Sequence, residues 1–171
     1  VRDDEDLSGD LTVSVLVRET ADGIFVAYGG STTGSNSYLR FSMGYHSSGK
    51  VRITYQPTGG ILTNYDTTKT VPRRDWYNII TVKKVAAGGG LVDLYVYVNG
   101  REFEKIATGV ADYTGGSLSE WWVGMRNGSA GPVSPFGGYI GFVHVEKAAL
   151  SDAEIQNIHR RLMLLDGDRW V

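Results

Sequence analysis

Along most of this chain, hydrophobic and polar residues alternate with a period of two. "LTVSVLV" places Leu11, Val13, Val15 and Val17 on one face, and "SYLRFSMGY" sets Leu39, Phe41 and Met43 against Arg40 and Ser42. "VRITY" repeats the pattern with Val51, Ile53 and Tyr55 after a turn at "HSSGK", and "GIFVAYGG" reads as a further short strand. Such alternation predicts strands with one face buried and one face wet. "GGSTTGSNS" reads as a polar loop, and residues 56–73 show no clear period.

The strongest local signal is "WYNIITVKKVAAGGGLVDLYVYVNGREFEKI". Two long strands flank "AAGGG", and Asn99-Gly100, the favoured pair for a type I′ turn, then returns the chain antiparallel. That turn predicts Val98 opposite Arg101, Val96 opposite Phe103 and Leu94 opposite Lys105. Leu94, Val96, Val98 and Phe103 then share the core face, and Tyr95, Tyr97, Glu102 and Glu104 share the other. "SEWWVGM" and "GGYIGFVHVE" complete the strands.

The alternation stops at "HVEKAALSDAEI". Ser151 and Glu154 form a capping box, with Leu150 and Ile155 as a hydrophobic staple, and Ile155, Ile158 and Leu162 form a narrow apolar stripe. The expected fold is an all-β, antiparallel two-sheet β-sandwich of roughly ten strands, with one short C-terminal helix as a lid or edge cover. Residues 1–10 read as an acidic arm, 11–165 as the sandwich and 166–171 as a tail.

Composition narrows the partners. With 171 residues, 42% hydrophobic, the chain supports one core. Its 23 glycines sit between apolar runs, as tight turns require. A formal charge of -2 with scattered basic residues gives no footprint for nucleic acid. No apolar run approaches the ~18 residues of a membrane span, so no membrane insertion is expected. Without cysteine there is no disulfide framework. The first residue is Val1, which suggests a processed product or part of something longer.

The order "DWYNIITVKK", "LYVYVNG", "WWVGM" and "GGYIGFVHVEKAALSDAEIQNIHRRL" resembles the laminin-G-like branch of the concanavalin A-like lectin and glucanase superfamily. The likeness runs by motif over about residues 70–163 and is most specific at the close, where Ala149, Leu150, Ser151, Glu154 and Ile155 match the family's "ALS-x-x-EI". It implies a concanavalin A-like jelly roll, and it makes calcium possible as a cofactor. Gly141 stands where the family usually has Asp, and Glu146 and Lys147 replace its Tyr-Asn, which weakens any cation role carried by that acid.

Catalytic chemistry is scarce. The glucanase E-x-D-x-E triplet is absent, and glycoside hydrolysis needs paired carboxyl groups across the bond. Glu102 and Glu104 are the nearest alternating pair and read as a solvated strand face. His46, His144 and His159 fall in a turn, a strand and a helix, without a G-x-S-x-G elbow. His144 reads as a surface or groove histidine, and His159 as a complement to the helix dipole. Asp3, Asp4, Asp6, Asp10, Asp66, Asp75 and Asp112 have no calcium-loop spacing, so no catalytic and no metal residue is assigned. "NGS" at 127–129 fits an N-glycosylation acceptor.

Aromatic surface remains. Trp121 and Trp122 point to opposite faces of their strand, which sets Trp121 in the core and Trp122 outward, with Arg126 and Asn127 just beyond. Tyr95 and Tyr97 form a second exposed pair, and Tyr45 with His46 a third candidate. These seven residues are the expected carbohydrate site of a non-catalytic, lectin-like adhesion module that recognises glycan or a glycoprotein surface, in an extracellular, cell-surface or virion setting. The alternative is a structural virion or phage component, a capsid decoration or tail protein whose partners are other subunits of the assembly.

Overall fold

The computed structural model describes residues 2–3, 8–19, 22–30, 39–46, 49–57, 60–72, 77–113, 119–128, 131–133 and 135–165. In chain order these form β1 (Arg2–Asp3), β2 (Leu11–Glu19), β3 (Gly23–Gly30), β4 (Leu39–His46), β5 (Lys50–Tyr55), β6 (Thr63–Asp66) and β7 (Asn78–Gly88). Then follow β8 (Leu91–Val98), β9 (Arg101–Ala111), β10 (Ser119–Val123), β11 (Arg126–Gly128), β12 (Gly131–Val133), β13 (Gly138–Glu146) and α1 (Asp152–Leu165). One sheet has six strands in the order β1-β10-β3-β4-β5-β6, and a second has five in the order β13-β2-β7-β8-β9. Among the described residues, β11 and β12 pair only with each other. Every pairing is antiparallel, and the expected all-β sandwich with a C-terminal helix is the fold that forms. The strands beyond those expected are β1, β6, β11 and β12, too short to display an alternation. Half of the acidic arm and all of the tail at 166–171 lie outside the described residues, as does the polar loop from 31.

The predicted alternation supplies the core. Val13, Val15 and Val17 of β2 meet Phe41 and Met43 of β4, Val51, Ile53 and Tyr55 of β5, and Val92, Leu94 and Val96 of β8 in one cluster between the sheets. Trp121 packs inward on Tyr28 at 4.9 Å between ring centroids. The turn at Asn99-Gly100 has φ of 52° and 77°, the pair of positive values that a type I′ turn demands.

Register departs from expectation two pairs past that turn. Val98 faces Arg101 and Tyr97 faces Glu102, but Val96 faces Glu104 and Leu94 faces Ala107. A bulge at Phe103 therefore puts Glu102 and Glu104 on opposite faces, because an extra residue flips every side chain beyond it. Glu104 turns toward the other sheet and accepts from the Thr68 amide at 3.0 Å and the Thr68 hydroxyl at 3.1 Å. Burial works against this carboxylate's charge, yet the Thr68 and Lys69 amides hold it below the usual range.

The helix starts as its signal predicts. The Ser151 amide donates to Glu154 at 2.7 Å, and the Glu154 amide donates to Ser151 Oγ at 3.3 Å. It covers the outer face of the five-stranded sheet, where Leu16, Ile79 and Leu162 form a small core flanked by Tyr77, Phe142 and Ile158. Since α1 runs to Leu165, His159 lies mid-helix against Gly100 and not at the negative end of the dipole. Burial, then Arg101 and Arg160, push its pKa down, so a dipole-compensating charge is the opposite of what the site favours.

One polar cluster lies inside the sandwich. Lys84, 1% exposed, occupies an inward position on β7 and donates to Asp112 Oδ1 at 2.7 Å. The same carboxylate accepts from the Tyr55 hydroxyl at 2.7 Å, the Gly9 amide at 2.6 Å and the Tyr113 amide at 2.8 Å. One acid thus ties the two sheets, the N-terminal segment and the chain after β9. Burial resists its ionisation, but Lys84, Gly9 and Tyr55 outweigh that and hold its pKa below the ordinary 3.8. Removing one member of such a buried, hydrogen-bonded pair costs about 3–5 kcal/mol. Asp112→Ala is expected to lose about that much stability in urea denaturation at pH 7. Since the folded pKa is depressed, Asp112's own contribution is complete above its unfolded pKa and disappears as pH falls through the folded one, and the variant should lack this acid-sensitive component.

Candidate functional site

Burying one face of the six-stranded sheet leaves the alternate residues on its outer face, and the register aligns them in rows. Trp122 faces Ala27, Ala27 faces Ser42, Ser42 faces Thr54 and Thr54 faces Asn64, so one row crosses β10, β3, β4, β5 and β6. The adjacent row runs Ile24, Gly44, Arg52, Asp66, and His46 faces Lys50 one step further. Ala27 and Ser42 are buried although the register turns them outward.

A cleft of about 420 Å³ opens over this floor. Ser42, Gly44, Thr54 and Asn64 line it, with Arg52 and His46 at one end and Asp22, Gly23, Ile24, Leu62 and Pro135 completing the walls. Its volume falls within the about 300–1,000 Å³ of small-ligand sites. The floor is close-packed: a Cβ on Gly44 would collide with the Gly23 carbonyl and the Ile24 Cα, and one on Gly23 with the Pro135 carbonyl. Pro135 is brought there by the Phe136 amide, which donates to the Gly124 carbonyl at 2.8 Å, and by Phe136 packing edge-on against Phe25 at 5.0 Å.

The polar groups of the cleft are positioned by one another. The Thr54 hydroxyl donates to Asn64 Oδ1 at 2.8 Å. Arg52 Nε and Nη2 donate to Asp66 Oδ1 and Oδ2 at 2.6 and 2.7 Å, a bidentate fork. The Asp66 bond raises the pKa of Arg52, and the Arg52 bond lowers that of Asp66, with His46 and Lys50 adding to the second effect.

The seven residues expected from sequence divide between the two sheets. His46, the last residue of β4 and not a turn residue, lines the cleft half-buried. Tyr45 borders it from the core side, 4% exposed, its ring edge-on to Phe25 at 4.7 Å. Trp122 is half-buried and extends the cleft's row two strands beyond Ser42, roughly 10 Å away at normal strand spacing. Arg126 and Asn127 lie on β11 opposite Val133 and Pro132, and their side chains are outside the described ones, as is Ser129 of the glycosylation tripeptide.

Tyr95 and Tyr97 face outward from the other sheet. Tyr97 is not exposed: it is 1% accessible, and its hydroxyl donates to Asp152 at the start of α1 at 2.7 Å. Burial and then that carboxylate raise its pKa strongly. Tyr95 is half-buried between the Lys83 and Lys105 ammonium groups, 5.4 and 5.3 Å from its ring centre. The cleft residues that sequence reading missed are Ser42, Arg52, Thr54 and Asn64. For Arg52 and Thr54 the signal was present, since they alternate with the buried Val51, Ile53 and Tyr55.

Calcium, allowed by the resemblance, does not fit the described residues, among which no group of three or more acids and histidines could hold a metal. Asp10 caps the Ala86 amide, Asp66 holds Arg52 and Asp112 holds Lys84. Gly141, standing in the family's Asp position, lies at a bulge in β13 between Ile140 and Phe142.

The fold and this sheet face define a lectin-like jelly roll, and the family comparison agrees. The chain belongs to the concanavalin A-like lectin/glucanases superfamily, whose laminin G family profile matches residues 2–156. Among solved structures it is similar to the CBM40 module of the Ruminococcus gnavus IT-sialidase bound to α2,3-sialyllactose, at TM-score 0.65 and 19% identity over 89% of this chain and 83% of that one. It is also similar to the SAP-like pentraxin of Limulus polyphemus, at TM-score 0.61 and 14% identity over 89% of this chain and 70% of that one. The receptor-binding domain of botulinum neurotoxin C/D mosaic serotype gives TM-score 0.61 and 10% identity, over 92% of this chain and 37% of that one. A search of curated protein sequences gave no significant match.

The Arg52–Asp66 pair sits at the surface, its side chains 29% and 32% exposed, where such pairs contribute about 0–1 kcal/mol. Arg52→Met is expected to shift stability by no more than about 1 kcal/mol. In that variant the Asp66 carboxyl should titrate closer to 3.8, as followed by carbon NMR of its side chain.

Proposed function

We propose that this chain is a non-catalytic glycan-binding module of a larger adhesive or enzyme-appended protein, working at an extracellular or cell surface, and that the cleft on the six-stranded sheet is its site. The observation that carries this reading is the cleft itself, which sets neutral hydrogen-bonding groups, Ser42, Thr54 and Asn64, over a floor of small residues in the same row as an outward-facing indole. Sugars present hydroxyls and C–H faces, and convergent polar groups beside apolar surface match both. The sialyllactose bound by the CBM40 relative and the receptor-binding role of the toxin domain accord with a recognition module. The virion or phage alternative finds no support in these comparisons.

A glycan array followed by calorimetry on the strongest hit tests the assignment. Asn64→Ala and Trp122→Ala are each expected to weaken binding about tenfold or more, since a contact worth about 1.4 kcal/mol is a tenfold change. Tyr95→Ala, on the opposite sheet, should leave it unchanged. Binding that survives the first two changes and fails with Tyr95→Ala would move the site to the five-stranded sheet.

A further inference from the structure

We infer, resting on the glycan-binding reading above, that the cleft selects an uncharged saccharide and that Asp66 sets this choice by occupying Arg52. The usual protein device for gripping a carboxylate or sulfate is an arginine fork presented to it. Here that fork is already closed on Asp66 through Nε and Nη2, at 2.6 and 2.7 Å, and the pairing is built into the sheet because Arg52 and Asp66 are register partners on β5 and β6. Any acid placed against Arg52 would therefore meet Asp66 as well.

The rest of this end of the cleft balances. Lys50 and His46 face outward one step beyond Arg52, and both act on Asp66. Asp22 contributes a second carboxylate to the cleft wall. Among the described residues at this end of the cleft, Lys50 and Arg52 are thus matched by two acids, Asp66 and Asp22. Carboxylates and an engaged guanidinium still suit a neutral sugar, since the acids accept from hydroxyl groups and the arginine can donate to hydroxyl oxygens. Thr54 and Asn64, coupled at 2.8 Å, extend the same neutral pattern along the floor.

The experiment compares neutral glycans with their sialylated, sulfated and uronate-bearing counterparts on one array, and lactose with α2,3-sialyllactose by calorimetry. The proteins are the unaltered chain, Asp66→Asn, and Asp66→Asn combined with Arg52→Met, each checked for an unchanged melting transition. The unaltered chain should prefer the neutral partner of each pair. Asp66→Asn should shift the acidic-to-neutral ratio about tenfold or more toward the acid, the scale of one charge-assisted hydrogen bond gained, and adding Arg52→Met should abolish that gain. Stronger binding of acidic glycans by the unaltered chain, weakened by Asn64→Ala, would overturn the inference and leave the cleft as the site. An Asp66→Asn ratio that does not move would remove Asp66 from the account. No binding to any glycan would overturn the glycan reading, and the inference with it.

Discussion

Everything proposed for this molecule depends on burying one face of the six-stranded sheet. Phe41, Met43, Tyr45, Val51, Ile53 and Tyr55 all turn toward the second sheet and are almost wholly removed from water. Burying Phe, Met and Ile side chains contributes about 1.5–3 kcal/mol each, so slipping either strand by one residue would expose the whole set. Ser42, Gly44, His46, Arg52 and Thr54 are consequently committed to the other face. The cleft is the remainder of that commitment: hydrophobic burial fixes its polar residues in place without any of them being needed for the core.

A second constraint keeps the sheets in register at one end. Asp112 draws Lys84 from β7, Tyr55 from β5 and Gly9 from the N-terminal segment onto one carboxylate. Ionic groups inside a core are an uncertain source of net stability, but losing one partner is costly, and that asymmetry makes the cluster a lock on this arrangement. Tyr55 connects the two constraints. Its ring belongs to the core and its hydroxyl to the lock, while the preceding Thr54 turns outward to the cleft and bonds Asn64.

Much of the fold was legible because local chemistry and long-range packing agree. The alternation in Leu11–Val17 and Val51–Tyr55, the Asn99-Gly100 turn and the Ser151–Glu154 cap each state a geometry that the finished structure retains. Where they disagreed, packing decided. The bulge at Phe103 has no compositional mark, so the faces of Glu102 and Glu104 could not be read from spacing. Tyr97 alternates like an exposed residue and is buried because α1, arriving from far along the chain, sets Asp152 against its hydroxyl. Whether candidate residues stand together is more distant still from local sequence. Tyr95 and Tyr97 fall on one sheet and Trp122 and His46 on the other, a division that strand order settles and that no window of the chain contains. β6 was missed for a related reason: its four residues, of which Tyr65 alone packs against the core, are too few to show a period.

The central claim is that the outer face of the six-stranded sheet is where this protein meets its ligand. Amide and indole chemical-shift mapping by NMR, with the isotope-labelled chain titrated with an array-identified glycan, tests it most directly. The account predicts that the largest shifts cluster at Ser42, Gly44, Thr54, Asn64 and the Trp122 indole, with Lys83, Tyr95 and Lys105 unaffected. Shifts concentrated on that second group, with the cleft silent, would contradict it.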